Sequence, residues 1–309
     1  MNRSMTHQDL PLLFIKLLNY TKTIACFFLL SGIVTGQERN LNDIPADTSV
    51  PSAISAEPSA GVRVLATTDG WQQTSVFHTL YLPTNWNEAN KFPVLVEFAG
   101  NGNYQNALGD TSTGQVEDTV LGYGLSGGRD YLWLSLPFIT ITSDGTKQNC
   151  KTWWGNVDET KRYCLATIKD VCQRYGGDTN RIILCGFSRG AIACNYIGLH
   201  DDEIAKLWRA FFCHSHYDGV IRWPYADSDP NSAISRLRRL NQRPQWISHE
   251  LDTQPIELFL KQSGVTSRYT FTSIPYPNHT AAWLLRDLPE RRKAREWLAE
   301  VAEIRTTSP

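Results

Sequence analysis

The chain has no uncharged apolar run long enough to span a bilayer. The stretch from Thr23 to Gly36 (TIACFFLLSGIVTG) has fourteen residues, against the roughly 20 that a transmembrane helix needs. Neither sign of charge dominates: 30 Lys and Arg stand against 31 Asp and Glu, a net of −1. That balance supplies no global field to recruit nucleic acid or an anionic membrane. No C-x-x-C pair occurs, which removes support for a zinc ribbon or a thioredoxin-type redox site. Methionine is scarce, with 2 residues, and no internal repeat is evident. What is present is ordinary for a folded domain: 41% apolar and 20% charged residues, a composition that excludes a disordered or coiled-coil chain. Ten tryptophans call for a large core or an aromatic-lined surface.

Arg3, Lys16 and Lys22 precede the apolar run, and small residues close it near Val34-Thr35-Gly36. A basic region, a short apolar stretch and a small-residue end are the pattern of a secretory signal peptide, expected over residues 1–36. The reading predicts an exported protein, secreted or periplasmic, with no stable membrane insertion once the signal is cleaved; an uncleaved anchor is the alternative. Residues 37–60 are rich in Pro, Ser, Ala and acids and read as a flexible linker. Apolar content is sustained from Gly61, so residues 61–309 are expected to form one domain around one core. Six cysteines remain when Cys26 leaves, and in an exported chain one or two disulfides are expected, their partners open. Cys164 and Cys172, on one predicted helix, stand about 12 Å apart and cannot bridge each other. Cys185, after RIIL, is expected as a buried small hydrophobe.

Short apolar runs recur along the domain. VRVLAT (from Val62) and SVFHTLYL (from Ser75) look like paired strands. PVLVEFAG (from Pro93), YLWLSLPFI (from Tyr131), RIILCG (from Arg181), RAFFCH (from Arg209), PQWIS (from Pro244) and YTFTSI (from Tyr269) follow. Near-continuous runs of this kind are expected of strands buried on both faces of a parallel sheet. Helical patterns separate several of them, over 159–174, 191–199, 233–240, 255–262 and 288–301. The alternation predicts an α/β fold: a doubly wound, mostly parallel sheet with helices on both faces and right-handed crossovers.

The strongest local signal is Gly186-Phe187-Ser188-Arg189-Gly190, a G-x-S-x-G directly after RIILC and directly before AIACNY. Alone the pattern is weak. A strand, a sharp turn and a helix are what its mechanics require: the glycines let the strained turn pack while Ser188 Oγ projects above the sheet. The helix start near Arg189 favours developing negative charge. A serine hydroxyl needs a base, and the base needs a carboxylate to orient it. In chain order the acid and the histidine should follow the serine, each past a later strand. His279 in YPNHTAAW, after YTFTSI and before the last helix, fits as the base ahead of His200, His214, His216 and His249. The acid is expected after PQWIS, in His249-Glu250-Leu251-Asp252-Thr253, with Asp252 preferred and Glu250 next; Asp218 in HYDG remains as the third option. Two backbone N–H groups should hold the oxyanion: that of Arg189, and one from the turn after PVLVEF, for which Asn101 is chosen.

On these residues the domain resembles the α/β-hydrolase superfamily. The stretch VDETKRYCLATIKDVCQRYGGDTNRIILCGFSRGAIA is similar to the one around the nucleophile in secreted serine esterases of the feruloyl and acetylxylan esterase and polyhydroxyalkanoate depolymerase type. There a helix, an Asp-x-x-Arg turn (here Asp178 to Arg181), a strand and the elbow follow in that order. The resemblance implies that residues 61–309 are a catalytic domain hydrolysing ester bonds through a Ser-His-Asp triad, with no metal or cofactor. Two departures stand out. The usual His-Gly of the oxyanion loop is Ala99-Gly100, and an arginine follows the serine. Arg189 either lends a cation to oxyanion or substrate or makes a surface ion pair, the second being preferred.

The substrate is expected to be a small-molecule or polysaccharide-linked ester, with carbohydrate acyl esters the first choice. Trp153 and Trp154, in the loop after YLWLSLPFI, either stack on a sugar or aromatic acyl group or plug the side of the core. His214-x-His216 has the alternation of two ligands on one strand face, but two ligands do not make a metal site. Asn278-His279-Thr280 is a glycosylation sequon, expected unmodified because a glycan would obstruct His279. Two other readings stay open: a prolyl-oligopeptidase-type serine peptidase, without the propeller that precedes such domains, and a catalytically silent glycan-binding module on the same fold.

Overall fold

The computed structural model describes residues 39–303. The expected signal peptide lies outside them. No helix among the described residues is long and apolar enough to cross a membrane.

Eight strands form one sheet: β1 (Arg63–Ala66), β2 (His78–Tyr81), β3 (Phe92–Phe98), β4 (Leu132–Leu136), β5 (Gly177–Phe187), β6 (Ala210–His214), β7 (Gln245–Glu250) and β8 (Tyr269–Ile274). Their spatial order is β1-β2-β4-β3-β5-β6-β7-β8. β2 runs antiparallel to both β1 and β4, and every other pairing is parallel. The eight apolar runs of the sequence are these eight strands. In the central strands the lack of polar alternation follows from burial on both sides: in β5, Ile182 and Leu184 face one apolar cluster while Ile183 and Cys185 face the other.

The helices are α1 (Leu121–Ser126), α2 (Val157–Tyr175), α3 (Arg189–Tyr196), α4 (Asp202–Ala205), α5 (Pro230–Leu237), α6 (Gln254–Ser263) and α7 (Pro289–Val301). Side chains of α2 to α6 cover one face of the sheet, and those of α1 and α7 the other. Local signals set their limits. The Asn156 side chain accepts the Glu159 N–H at the start of α2, and Gly176 ends it at φ 75°, a left-handed value that glycine takes without penalty. Asp229 caps α5 in the same way, so that the helix begins at Pro230, three residues before the expected start. The sequence pattern missed α1, whose glycines dilute the helical period; Gly122 is needed there because a Cβ would sit 2.3 Å from the Trp133 ring.

The segment expected as a flexible linker is instead tied down from residue 39 onward. Leu41 is 1% exposed, and its N–H donates to Asn278 Oδ1 at 2.7 Å. Ile54 bridges Val64 of the edge strand β1, and Ala60 bridges Leu82. Its composition lacks the aliphatic residues that signal a core, but extended backbone alone suffices to cover a sheet edge. The expected disulfides do not form either. All six cysteines among the described residues are free, and five are buried, where they pack as small apolar side chains.

Candidate active site

β5 passes into α3 through Ser188, whose backbone stands at φ 55° and ψ −117°, outside the regions a side chain ordinarily allows. The turn is tight enough to demand its flanking glycines. A Cβ on Gly186 would lie 2.2 Å from the Gly190 carbonyl carbon, and one on Gly190 would lie 1.9 Å from the Phe98 oxygen. The strain lifts Ser188 to the carboxyl edge of the sheet at the first turn of α3.

His279 reaches Ser188 from the loop after β8, with Nε2 3.1 Å from Ser188 Oγ. Its own N–H donates to Asp110 Oδ2 at 2.9 Å, which pins the loop, and the Phe187 and Tyr104 rings lie 4.7 and 4.9 Å from the imidazole. On the far side of the ring, Nδ1 is 2.9 Å from Glu250 Oε1. Burial by itself would push the Glu250 carboxyl up. The hydrogen bond from His279 and the nearby His214, His279 and His249 outweigh that, and hold it well below the usual carboxylate range.

Asp252 does not take the place expected of it. It is exposed, and its Oδ1 accepts the Gln254 N–H at 2.8 Å at the start of α6. The reason is the length of β7, which runs two residues past the PQWIS pattern, so that Glu250 emerges at the sheet edge facing β8. Asp218, the third option, is buried in an ion pair with Arg236 at 2.9 Å. Burial raises its pKa to about 6 even though Arg236 opposes the shift.

Asn101, Ser188 and Arg189 line one cavity of about 290 Å³, with Tyr104, Trp153, Ile192, His216 and Trp223 around it. Among the described residues, neither the Asn101 nor the Arg189 backbone N–H is given to a protein acceptor. The Arg189 side chain departs from both expectations. It is 1% exposed, makes no ion pair among the described residues, and donates to the Trp153 carbonyl at 2.7 Å, with longer contacts to the Ala99, Cys150 and Gly114 carbonyls. Its guanidinium lies 4.1 Å from the Phe138 ring centre. Burial lowers its pKa to about 9, which leaves it charged at neutral pH. The cation therefore ties together the turn after β3 and the Trp153 loop through their carbonyl dipoles.

The two indoles part company. Trp153 stands at φ 49° and lines the cavity, its backbone N–H donating to Asn101 Oδ1 at 2.8 Å. Trp154, expected as a substrate contact alongside it, is 4% exposed and stacks on Tyr196 with centroids 4.7 Å apart, so it fills the core instead. His216, set aside in the sequence, lies 5.1 Å from the His279 ring and 5.4 Å from Trp223; burial first, then the charge of His279, lowers its pKa to about 4. His214 is engaged by Ser248 and Trp283 at 3.0 Å each, and no cluster of three or more His, Cys, Asp or Glu side chains among the described residues is arranged for a metal ion. The sequon nitrogen Asn278 Nδ2 donates to Asn40 Oδ1 at 3.0 Å and Asp110 Oδ1 at 2.9 Å, which leaves it unavailable to a glycan in the folded chain.

No family model matches the chain, and no curated protein matches it. Solved structures do. One of two fungal esterases from Rhizomucor miehei aligns over 85% of this chain and 86% of its own, with a TM-score of 0.54 at 11% identity. A ferulic acid esterase aligns over 78% of this chain and 97% of its own, with a TM-score of 0.50 at 13% identity. A thermostable esterase is matched over 77% of this chain, which spans 62% of that protein's length, with a TM-score of 0.47 at 19% identity. At these identities the likeness is one of fold. The chain has the α/β-hydrolase fold, as the order of strands, elbow and helices in its sequence led us to expect.

Proposed function

We propose that this protein is an exported serine hydrolase of carboxylic esters, with acyl esters on carbohydrates as the substrate class to test first. The observation that carries the reading is the continuous chain from Ser188 Oγ through His279 Nε2 and Nδ1 to Glu250, at 3.1 and 2.9 Å. In this reading His279 takes the hydroxyl proton as Ser188 attacks the ester carbonyl, and Glu250 orients the ring and stabilises the imidazolium. The Arg189 and Asn101 amides receive the oxyanion at the positively polarised start of α3. His279 then protonates the leaving alcohol, and water resolves the acyl-enzyme by the same route. The cavity walls favour an uncharged substrate. No carboxylate lines it, the one guanidinium is spent on carbonyls, and Trp153 and Trp223 offer flat apolar faces to a sugar ring or an aromatic acyl group.

Labelling with a fluorophosphonate probe tests the reading. Wild-type protein should be labelled, and Ser188→Ala and His279→Ala should not. Short-chain aryl esters should then turn over ahead of peptide amides of similar size. Folded wild-type protein that takes no label would sink the proposal.

A further inference from the structure

Ser215 follows the last residue of β6 and is fully buried. Its backbone φ is 85°, a value that a residue with a side chain keeps only when its surroundings impose it. The restraint is visible: the Ser215 N–H donates to the Ser248 carbonyl of β7 at 2.7 Å, while the preceding His214 carbonyl accepts the Ser188 N–H at 2.9 Å. Between these anchors the hydroxyl is turned into the proposed triad. Ser215 Oγ lies 2.7 and 2.9 Å from the two Glu250 oxygens and 2.8 Å from His279 Nδ1. If His279 Nε2 accepts the Ser188 proton, Nδ1 must carry the ring's own proton. That proton then sits between Glu250 Oε1 and Ser215 Oγ, and the Ser215 proton goes to Glu250. Every donor and acceptor in the cluster is satisfied by this one arrangement.

We propose that Ser215 is a positioning residue: its hydroxyl locks the Glu250 carboxylate against His279 Nδ1 and so holds the imidazole in one orientation and one tautomer. The inference rests on the hydrolase reading above and names a fourth member of its relay. Glycine would satisfy the backbone at this position better than serine does, so the hydroxyl is what the strained conformation delivers. Other groups facing the pair are His214 and His216 from the end of β6, His249 beside Glu250, and Tyr104 and Asp110 from the loop after β3. Of these, His249 brings its Nδ1 to 3.3 Å from Glu250 Oε2, farther than the Ser215 hydroxyl at 2.7 and 2.9 Å.

Two variants separate the hydroxyl from the backbone. Ser215→Ala keeps the restraint and removes the donor; Ser215→Gly removes the donor and relieves the restraint, so it keeps the fold if alanine does not. With an aryl acetate as substrate, kcat should fall about tenfold or more in both variants, with KM within about twofold. The acid limb of the kcat/KM profile should move up by roughly half a pH unit, because a carboxylate stripped of one donor attracts the imidazolium more strongly. A purely structural serine would move thermal stability and leave that limb where it was. Wild-type kcat and an unmoved limb in Ser215→Gly overturn the positioning role, provided the wild type itself turns over ester. A wild type that neither hydrolyses ester nor takes a fluorophosphonate overturns the hydrolase reading and this inference with it.

Discussion

Two glutamates of the same sheet, Glu97 buried and Glu250 nearly so, are driven in opposite directions by their surroundings. Glu97, in β3, receives the Leu121 N–H at 3.1 Å and, on its other oxygen, the Gly122 N–H at 2.8 Å and Trp133 Nε1 at 2.9 Å. It seats the first turn of α1. Burial is nevertheless the largest influence on it and raises its pKa. Glu250 feels the same push from burial and is still held well below the usual range, because imidazoles surround it. Neutral amide donors are enough to place a carboxylate. The Arg63 charge also acts on Glu97, behind the two amides, and does not overcome burial, whereas the imidazoles against Glu250 do. The pair thus separates a carboxylate that positions a helix from one that can stabilise a charge developing on its neighbour.

The sharpest way to break this contrast is to remove the charge at Glu250. Glu250→Gln should lower kcat/KM by about 10³–10⁴-fold, the scale seen when a triad acid can no longer fix the tautomer, with the fold retained by circular dichroism. Asp252→Asn, two residues on and exposed, should stay within about twofold of wild type. The opposite ranking would return the acid to Asp252.

The same division runs through the adjacent tryptophans. Trp154→Ala opens a hole between Tyr196, Phe138 and Tyr225 and should cost about 3–5 kcal/mol of stability, read as a fall in the urea midpoint. Trp153→Ala should raise KM about tenfold, a loss of about 1.4 kcal/mol of binding, with a much smaller change in that midpoint. Equal effects on stability would mean that Trp153 belongs to the core as well.

The parts of this architecture that sequence could carry were those written in local pattern. Eight apolar runs gave eight strands, and Gly186 and Gly190 announced a backbone approach that only glycine permits. The carboxylate beside His279 is Glu250 and not the preferred Asp252, because which side chain reaches the ring depends on where β7 ends. The pattern PQWIS stops at Ser248, and the two further residues, His249 and Glu250, pair with Ser273 and Ile274 of β8, a long-range contact that local composition does not encode. Ser215 left no trace at all, since H-S-H carries no turn signal and its φ is imposed by neighbours from β5 and β7. Arg189 misled for a related reason. An arginine beside a loop reads as exposed, and the four carbonyls that bury it come from segments up to 90 residues away.

At Glu97 the sign of the effect with pH is the discriminating part. Glu97→Gln sets an amide NH₂ against the Leu121 or Gly122 N–H and should cost about 1–3 kcal/mol with activity per folded molecule unchanged. A carboxyl whose folded pKa is raised above its ordinary 4.5 contributes fully below the unfolded value. That contribution is lost as pH rises through the folded one, because the unfolded chain ionises first. Glutamine has no such dependence, so the stability gap between wild type and Glu97→Gln should narrow from pH 4 towards pH 8 in urea unfolding. Glu250 has the reverse sign: its depressed pKa contributes above the unfolded carboxylate value and is lost as pH falls through the folded one. A gap at Glu97 that widened with pH would mean that the amides of α1 and the nearby Arg63 hold it ionised after all. Two amide donors backed by the Arg63 charge would then suffice to keep a buried carboxylate ionised with no imidazole at hand.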